Sequence, residues 1–245
     1  MTFAINWDVS NDLAYEAARP DQVREWFQGV RLISDRGSQD RITACAEVGL
    51  EILAVVRWDS DGFIPPEATW AQIHNEMTTG DNPMTPAQWV DEYRRYRFNY
   101  RDSNLKWMVG GLARGTTYDI AWVRRALDLL NSDEMPDAVA AHLYTMTPQG
   151  AQEACDDWWN AFQIPVAATE WYRAAQEGHW DFQCVLGGAS LDGLGPRAST
   201  WNSFFCLSDH MTIHTEGTHL GLIDQWGNFK DEFYSLLSCP ADCKQ

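Results

Sequence analysis

The sequence predicts an α/β protein built as a single (β/α)8 TIM barrel. Three observations carry that prediction. Eight short apolar, β-prone runs follow one another along the chain, nearly all succeeded by a segment of helical spacing. Strict β-then-α order implies parallel strands joined by right-handed crossovers. The length of 245 residues matches one such barrel. An open doubly wound sheet is the alternative, and it is weaker because no glycine-rich phosphate turn of the GxGxxG or P-loop type follows any strand.

FAINWDV (3–9) reads as the first strand. VREWFQ (23–28) is a helical turn leading into the strand GVRLIS (29–34). SQDRITACAEVG (38–49) has helical spacing, with Gly49 placed as a C′ glycine. EILAVVRW (51–58) is a continuous apolar run, the mark of a strand buried on both faces. TWAQIHNE (69–76) is the fourth strand and ends in two polar residues. In MTPAQWVDEYRRYRFNY (84–100), Thr85 is an N-cap, Pro86 sits at N1 and Gln88 completes a capping box. Trp89, Tyr93, Tyr96 and Tyr100 then fall on one helical face. LKWMVGG (105–111) is a strand, YDIAWVRRALDLLN (118–131) a helix and AVAAHLYTM (138–146) a strand. TPQGAQEACDDWWNAFQ (147–163) is a helix that again opens on Thr-Pro, and PVAATEWY (165–172) is the seventh strand. HWDFQCVLGGASL (179–191) reads as a helix weakened by Gly187 and Gly188, TWNSFFCLSD (200–209) as the eighth strand and DEFYSLL (231–237) as a closing helix. One catalytic domain over 1–245 is expected, with a short C-terminal tail at 238–245.

A net charge of −17 argues against nucleic acid or an anionic membrane as partner, because both require basic surface. No run approaches 18 apolar residues, so no membrane span is expected. The opening MTFAINWDVS has neither a basic n-region nor an apolar h-region, so no signal peptide is expected in this chain. Cys45, Cys155, Cys184 and Cys206 lie in apolar or helical context and read as core residues. Cys239 and Cys243, in SCPADC, leave open a small terminal disulfide or two free thiols. HMTIHTEGTH (210–219) gathers His210, His214, Glu216 and His219, but it lacks the glutamate of HExxH and reads as a polar loop. Neither a metal nor a cofactor is expected. Thirteen tryptophans are many for this length, and flat aromatic faces are what the C–H faces of sugars stack on.

In a barrel of this kind the reacting groups sit at the C-terminal ends of the strands. Two carboxylates stand out there: Glu76 closing the fourth run and Glu170 closing the seventh. A pair of carboxyls across a barrel mouth is what glycoside hydrolysis needs. One stays protonated to donate to the leaving oxygen; the other is ionised to attack the anomeric carbon or activate water. Different environments set those opposite states. Either glutamate alone fits an exposed strand end equally well, whereas the two together favour the paired reading. A retaining enzyme requires them about 5–5.5 Å apart.

Asn75-Glu76 in QIHNEM and Glu170 in AATEW resemble the pattern of glycoside hydrolase clan A, the retaining (β/α)8 enzymes that include cellulase, mannanase and xylosidase families. His142 and Tyr144 in AHLY resemble the strand-six element of its cellulase-like members, and Arg31 in GVRLIS resembles their strand-two arginine. FFCLSD with GLIDQWGNFKDEFYSLL is similar to the clan's strand eight and final helix, so the likeness runs over nearly the whole chain. The resemblance implies Glu76 as general acid then base, Glu170 as nucleophile and Asn75 as the group that hydrogen-bonds the sugar 2-hydroxyl. It also implies that Arg31 and the Tyr144 hydroxyl keep Glu170 ionised. Trp7, Trp58 and Trp171 are the candidates for sugar stacking, with packing as their other reading.

Two departures bear on the substrate. Arg57-Trp58 stands where cellulase-like members often carry a histidine. Leu207 stands where many have a tryptophan under the reacting sugar, so either Trp201 or Trp226 substitutes for it or the subsite differs. The resemblance therefore implies a retaining β-glycosidase, expected to be endo-acting on a carbohydrate polymer or oligosaccharide; a monomer is expected, and the compartment stays open, with an extracellular one favoured. A catalytically silent sugar-binding barrel and a peptidoglycan-cleaving lysin are the alternatives.

Overall fold

The structure is a computed structural model describing residues 2–171 and 198–204, apart from 8, 10–11, 17, 58–61, 80–82, 113–114 and 144–147. Eight strands form the barrel: β1 (Thr2–Asn6), β2 (Gly29–Ile33), β3 (Glu51–Val56), β4 (Trp70–Ile73), β5 (Lys106–Gly110), β6 (Ala138–Leu143), β7 (Val166–Trp171) and β8 (Ala198–Phe204). Each pairs in parallel with its neighbour in sequence, and β8 returns to β1 through Ala4↔Ser203, closing the barrel. The predicted fold and strand order are therefore present. Around it run α1 (Asp12–Glu16), α2 (Pro20–Trp26), α3 (Gln39–Glu47), α4 (Pro86–Asn99), α5 (Thr116–Leu127) and α6 (Pro148–Phe162). Among the described residues no helix is long and apolar enough to cross a membrane.

The element boundaries differ from the sequence prediction in ways that matter. β4 stops at Ile73, three residues before Glu76, because His74 takes a φ of 65° and leaves the extended conformation. Glu76, with a φ of 50°, lies in the turn beyond. α5 ends at Leu127 rather than at Asn131. β8 begins at Ala198, before the predicted start. The predicted helices at 179–191 and 231–237, the histidine-rich stretch at 210–219 and the tail at 238–245 lie outside the described residues.

Local chemistry explains the helices that position the site. Thr85 Oγ1 accepts from the Gln88 amide while Gln88 Oε1 accepts from the Thr85 amide, the reciprocal capping box that starts α4. Trp89, Tyr93 and Tyr96 are buried along the face that the periodicity predicts. No helix separates β3 from β4 among the described residues. The chain at 62–69 instead lies on α4: the Tyr100 hydroxyl accepts from the Ile64 amide at 2.9 Å, and Ile64 is buried. Gly62, at a φ of 72°, lies so close to the Tyr96 hydroxyl that a Cβ there would collide with it.

The core has two layers divided by strand parity. Ala4, Leu53, Trp70, Met108, Ala138, Ala140 and Ala167 pack together inside the barrel, with small residues offsetting the bulk of Trp70 and Met108. The alternate residues Ile5, Val30, Ile52, Ala71, Ile73, Val139 and Ala168 face outward against Val23, Ile42, Trp89, Val123 and Trp158 of the helices. One strand departs from parity. Ala141 pairs with Ala168, but His142 pairs with Glu170, so Thr169 is an extra residue in β7. This bulge lets Ala167 and Glu170, three residues apart, both serve the barrel interior.

Candidate active site

The site is built where these strands end. β2 brings Arg31, buried to 6 % exposure, onto the inner face. Its Nη1 donates to Glu170 Oε1 at 2.7 Å and its Nη2 donates to Asn75 Oδ1 at 2.6 Å. The Arg31–Glu170 pair spans the barrel from β2 to β7 and is almost wholly removed from water. Asn75 Nδ2 donates to the same Glu170 oxygen at 3.4 Å. Two donors and a guanidinium charge converge on that carboxylate, which favours its ionised form.

The second carboxylate is set differently. The Glu76 side chain retains 36 % of its exposure, against 6 % for Glu170. Its backbone is fixed by the Glu76 amide donating to the Gly111 carbonyl at 2.7 Å, and by the Thr79 amide and hydroxyl donating back to the Glu76 carbonyl. Between the two glutamates stands His142, its side chain fully buried. Nδ1 is 3.4 Å from Glu76 Oε1 and Nε2 is 3.5 Å from Glu170 Oε1. One atom from each of Glu76, His142 and Glu170 lies within 4.8 Å of the others, a spacing a cation could bridge. The Arg31 guanidinium already supplies the positive charge at Glu170, and this opposes a cation there.

The structure thus brings together Arg31, Asn75, Glu76, His142 and Glu170. Trp7 is a correction: it is fully buried, its ring stacked on Tyr15 with centroids 5.3 Å apart. Parity gives the reason. On β1, Ala4 faces inward and Ile5 outward, so Asn6 comes to the level of Arg31 inside while Trp7 turns to the helices. The backbone of Trp201 pairs with Thr2, at the opposite end of the barrel from Arg31. The backbone of Trp171 pairs with Leu143 at the end of β7. Tyr144, Trp58, Leu207 and Trp226 lie outside the described residues.

Two residues in the site escape the sequence prediction. Gln72 is fully buried, two positions beyond the inward-facing Trp70, and its side chain touches Arg31, Asn75 and the His74 carbonyl. A lone amide in an otherwise apolar strand, at the parity of the barrel interior, was the available signal. Gly111 has a φ of 72°, and a Cβ on it would collide with Gln72 Nε2 and crowd Asn75 Oδ1. The Gly-Gly pair ending β5 was the signal there.

No family model matches the sequence, and no curated protein matches it either. Solved structures do. A GH128 (subgroup V) exo-β-1,3-glucanase from Cryptococcus neoformans is similar with a TM-score of 0.70 and 15 % identity, over 96 % of this chain and 98 % of that one. A GH128 (subgroup I) endo-β-1,3-glucanase from Amycolatopsis mediterranei, in complex with laminaripentaose, gives 0.67 at 15 % identity over 98 % and 100 %. A β-mannanase from Thermomonospora fusca, in complex with mannohexaose, gives 0.66 at 14 % over 98 % and 89 %. These likenesses show the class of fold, a (β/α)8 barrel along nearly the full chain. The fold that the clan A resemblance implies is the fold of these glucanases and mannanases.

Proposed function

We propose that this protein is a retaining glycoside hydrolase that cleaves β-glycosidic bonds within a polysaccharide by double displacement. One observation carries the reading. Glu170 is buried and clamped by Arg31, while the more exposed Glu76 brings a carboxyl oxygen within 4.8 Å of it. That approach supports the retaining arrangement, with carboxyls about 5–5.5 Å apart, over the inverting one, which leaves about 6.5–9.5 Å for a water.

In the first step the Glu170 carboxylate attacks the anomeric carbon. The bond to the leaving oxygen breaks and Glu76 gives that oxygen its proton. In the second step Glu76, now a carboxylate, takes a proton from water, whose oxygen displaces Glu170 from the sugar. Asn75 Nδ2, held beside Glu170 Oε1, serves the 2-hydroxyl, a contact that strengthens in the oxocarbenium-like transition state. The similar structures, by their own descriptions, are β-1,3-glucanases and mannanases, so β-glucans and mannans head the substrates to try.

The test is a panel of β-glucans, mannans, galactans, xylans and peptidoglycan, with sizing of products and NMR of the anomer first released. Wild type is expected to yield oligosaccharides with retained configuration. Glu76→Gln is expected to lose about 10²–10⁴-fold in kcat while still binding glycan. Binding without any turnover by wild type would mark a silent sugar-binding barrel. Turnover of peptidoglycan alone would mark a lysin, and an inverted anomer would remove Glu170 as nucleophile.

A further inference from the structure

We propose that Gln72 is a positioning residue that fixes which end of the Asn75 amide faces the substrate; the role rests on the glycosidase reading above. An asparagine side chain can sit in either of two orientations related by a half-turn, and only one offers its N–H to a sugar hydroxyl. Here Asn75 Oδ1 accepts from Arg31 Nη2 at 2.6 Å and from Gln72 Nε2 at 3.0 Å. Its Nδ2 is thereby turned towards Glu170 Oε1, 3.4 Å away. The flipped amide would set N–H groups against two donors and its oxygen against a carboxylate, three mismatches beside a buried ion pair.

Arg31 cannot hold this orientation by itself. Its Nη1 is committed to Glu170, and its Nη2 sits at the end of a long, rotatable side chain. Gln72 removes that freedom from both partners. Its Oε1 accepts from Arg31 Nε at 3.4 Å, and its Nε2 donates to Asn75 and also to the His74 carbonyl at 2.9 Å. A backbone carbonyl only accepts, so it dictates which end of the Gln72 amide faces it. The direction set by the His74 carbonyl passes through Gln72 to Asn75. The same carbonyl belongs to the residue whose φ of 65° ends β4 and starts the turn to Glu76. Glutamine therefore does what an equally large glutamate or methionine cannot: it donates twice and accepts once.

The experiment compares Gln72→Met and Gln72→Glu with wild type on two aryl β-oligosaccharides of the sugar the panel identifies. One is unmodified; the other lacks the 2-hydroxyl on the reacting ring. Wild type should prefer the hydroxylated substrate. Both variants should lose about tenfold or more in kcat/KM on that substrate and far less on the 2-deoxy one, so the preference collapses. Should Gln72→Met fail to fold, Gln72→Glu keeps an acceptor for Arg31 Nε and carries the test. Equal losses on both substrates in a folded variant would mean that Gln72 only supports the barrel, and the role would be overturned. A wild type silent on every glycan would instead remove the glycosidase reading and this role with it.

Discussion

Arg31 and Glu170 are two charges buried side by side, and neither is stable there without the other. Arg31→Met is expected to leave the Glu170 carboxylate stranded, at a cost of about 3–5 kcal/mol, read as a lowered midpoint in urea unfolding. The same variant should lose glycan cleavage, because a glutamate that takes up a proton to escape its burial is no nucleophile. The sequence revealed these residues because carboxylate, amide and guanidinium are uncommon at the ends of apolar strands. It misassigned Trp7 because an aromatic residue at a strand end is equally apolar whether it faces a sugar or a helix. Only the parity of Ala4 and Ile5 separates the two. Gln72 was overlooked for the opposite reason: its polarity, seen singly, resembles the ordinary alternation of a half-exposed strand.

Two elements hold the site at one remove. The end of β5 approaches Gln72 so closely that only glycine fits at 111. Gly111→Ala should destabilise by roughly 1–3 kcal/mol through overpacking, and it should lower kcat by displacing Gln72 and Asn75. A paired urea titration and rate measurement checks both. Further out, Arg94 of α4 grips Glu134 in a two-pronged pair, with both N–H···O distances 2.7 Å. That guanidinium, with the Asn131 amide, pulls the Glu134 carboxyl down to about 2. A carboxyl lower in the folded than in the unfolded chain stabilises fully above its unfolded value near 4.3, and the benefit is lost as pH falls through about 2. The Tm gap between wild type and Glu134→Gln should therefore be constant from pH 7 to 5 and close steadily below that. A gap that persists to pH 2 would show that the pair acts through packing alone. The sequence showed α4 and its cap clearly, because a capping box is local. It did not show the clasp to Glu134, since a contact spanning 40 residues leaves no local trace.

At the scale of the whole molecule, closure makes the site possible. Arg31 and Glu170 lie 139 positions apart and face one another because the sheet closes, with β8 returning to β1. Strand count and order were legible in the sequence because parallel barrel strands are buried on both faces and read as unbroken apolar runs. Their ends were not legible: what stops β4 is a backbone turn at His74, and histidine is not a residue that announces one. The overall charge of −17 leads to a further expectation. A neutral glycan is not steered by that field, so its turnover should change by less than about twofold between 0.05 and 0.5 M salt. A polyanionic glycan should be cleaved faster as salt rises. Steady-state rates over a salt series check both.

The extra residue at Thr169 is a matter of number rather than kind. Exchange of one amino acid for another alters what stands at a position but never how many positions there are. Were Thr169 removed, the glutamate would follow Ala168 directly and would reach the level of His142 by ordinary alternation. It would still face the mouth, yet its backbone would arrive without the bend that a bulge introduces. Where the nucleophile stands and the tilt at which it is presented are thus separable in this strand. Gain or loss of a single codon, rather than any substitution, is the genetic step that would retune one and leave the other alone.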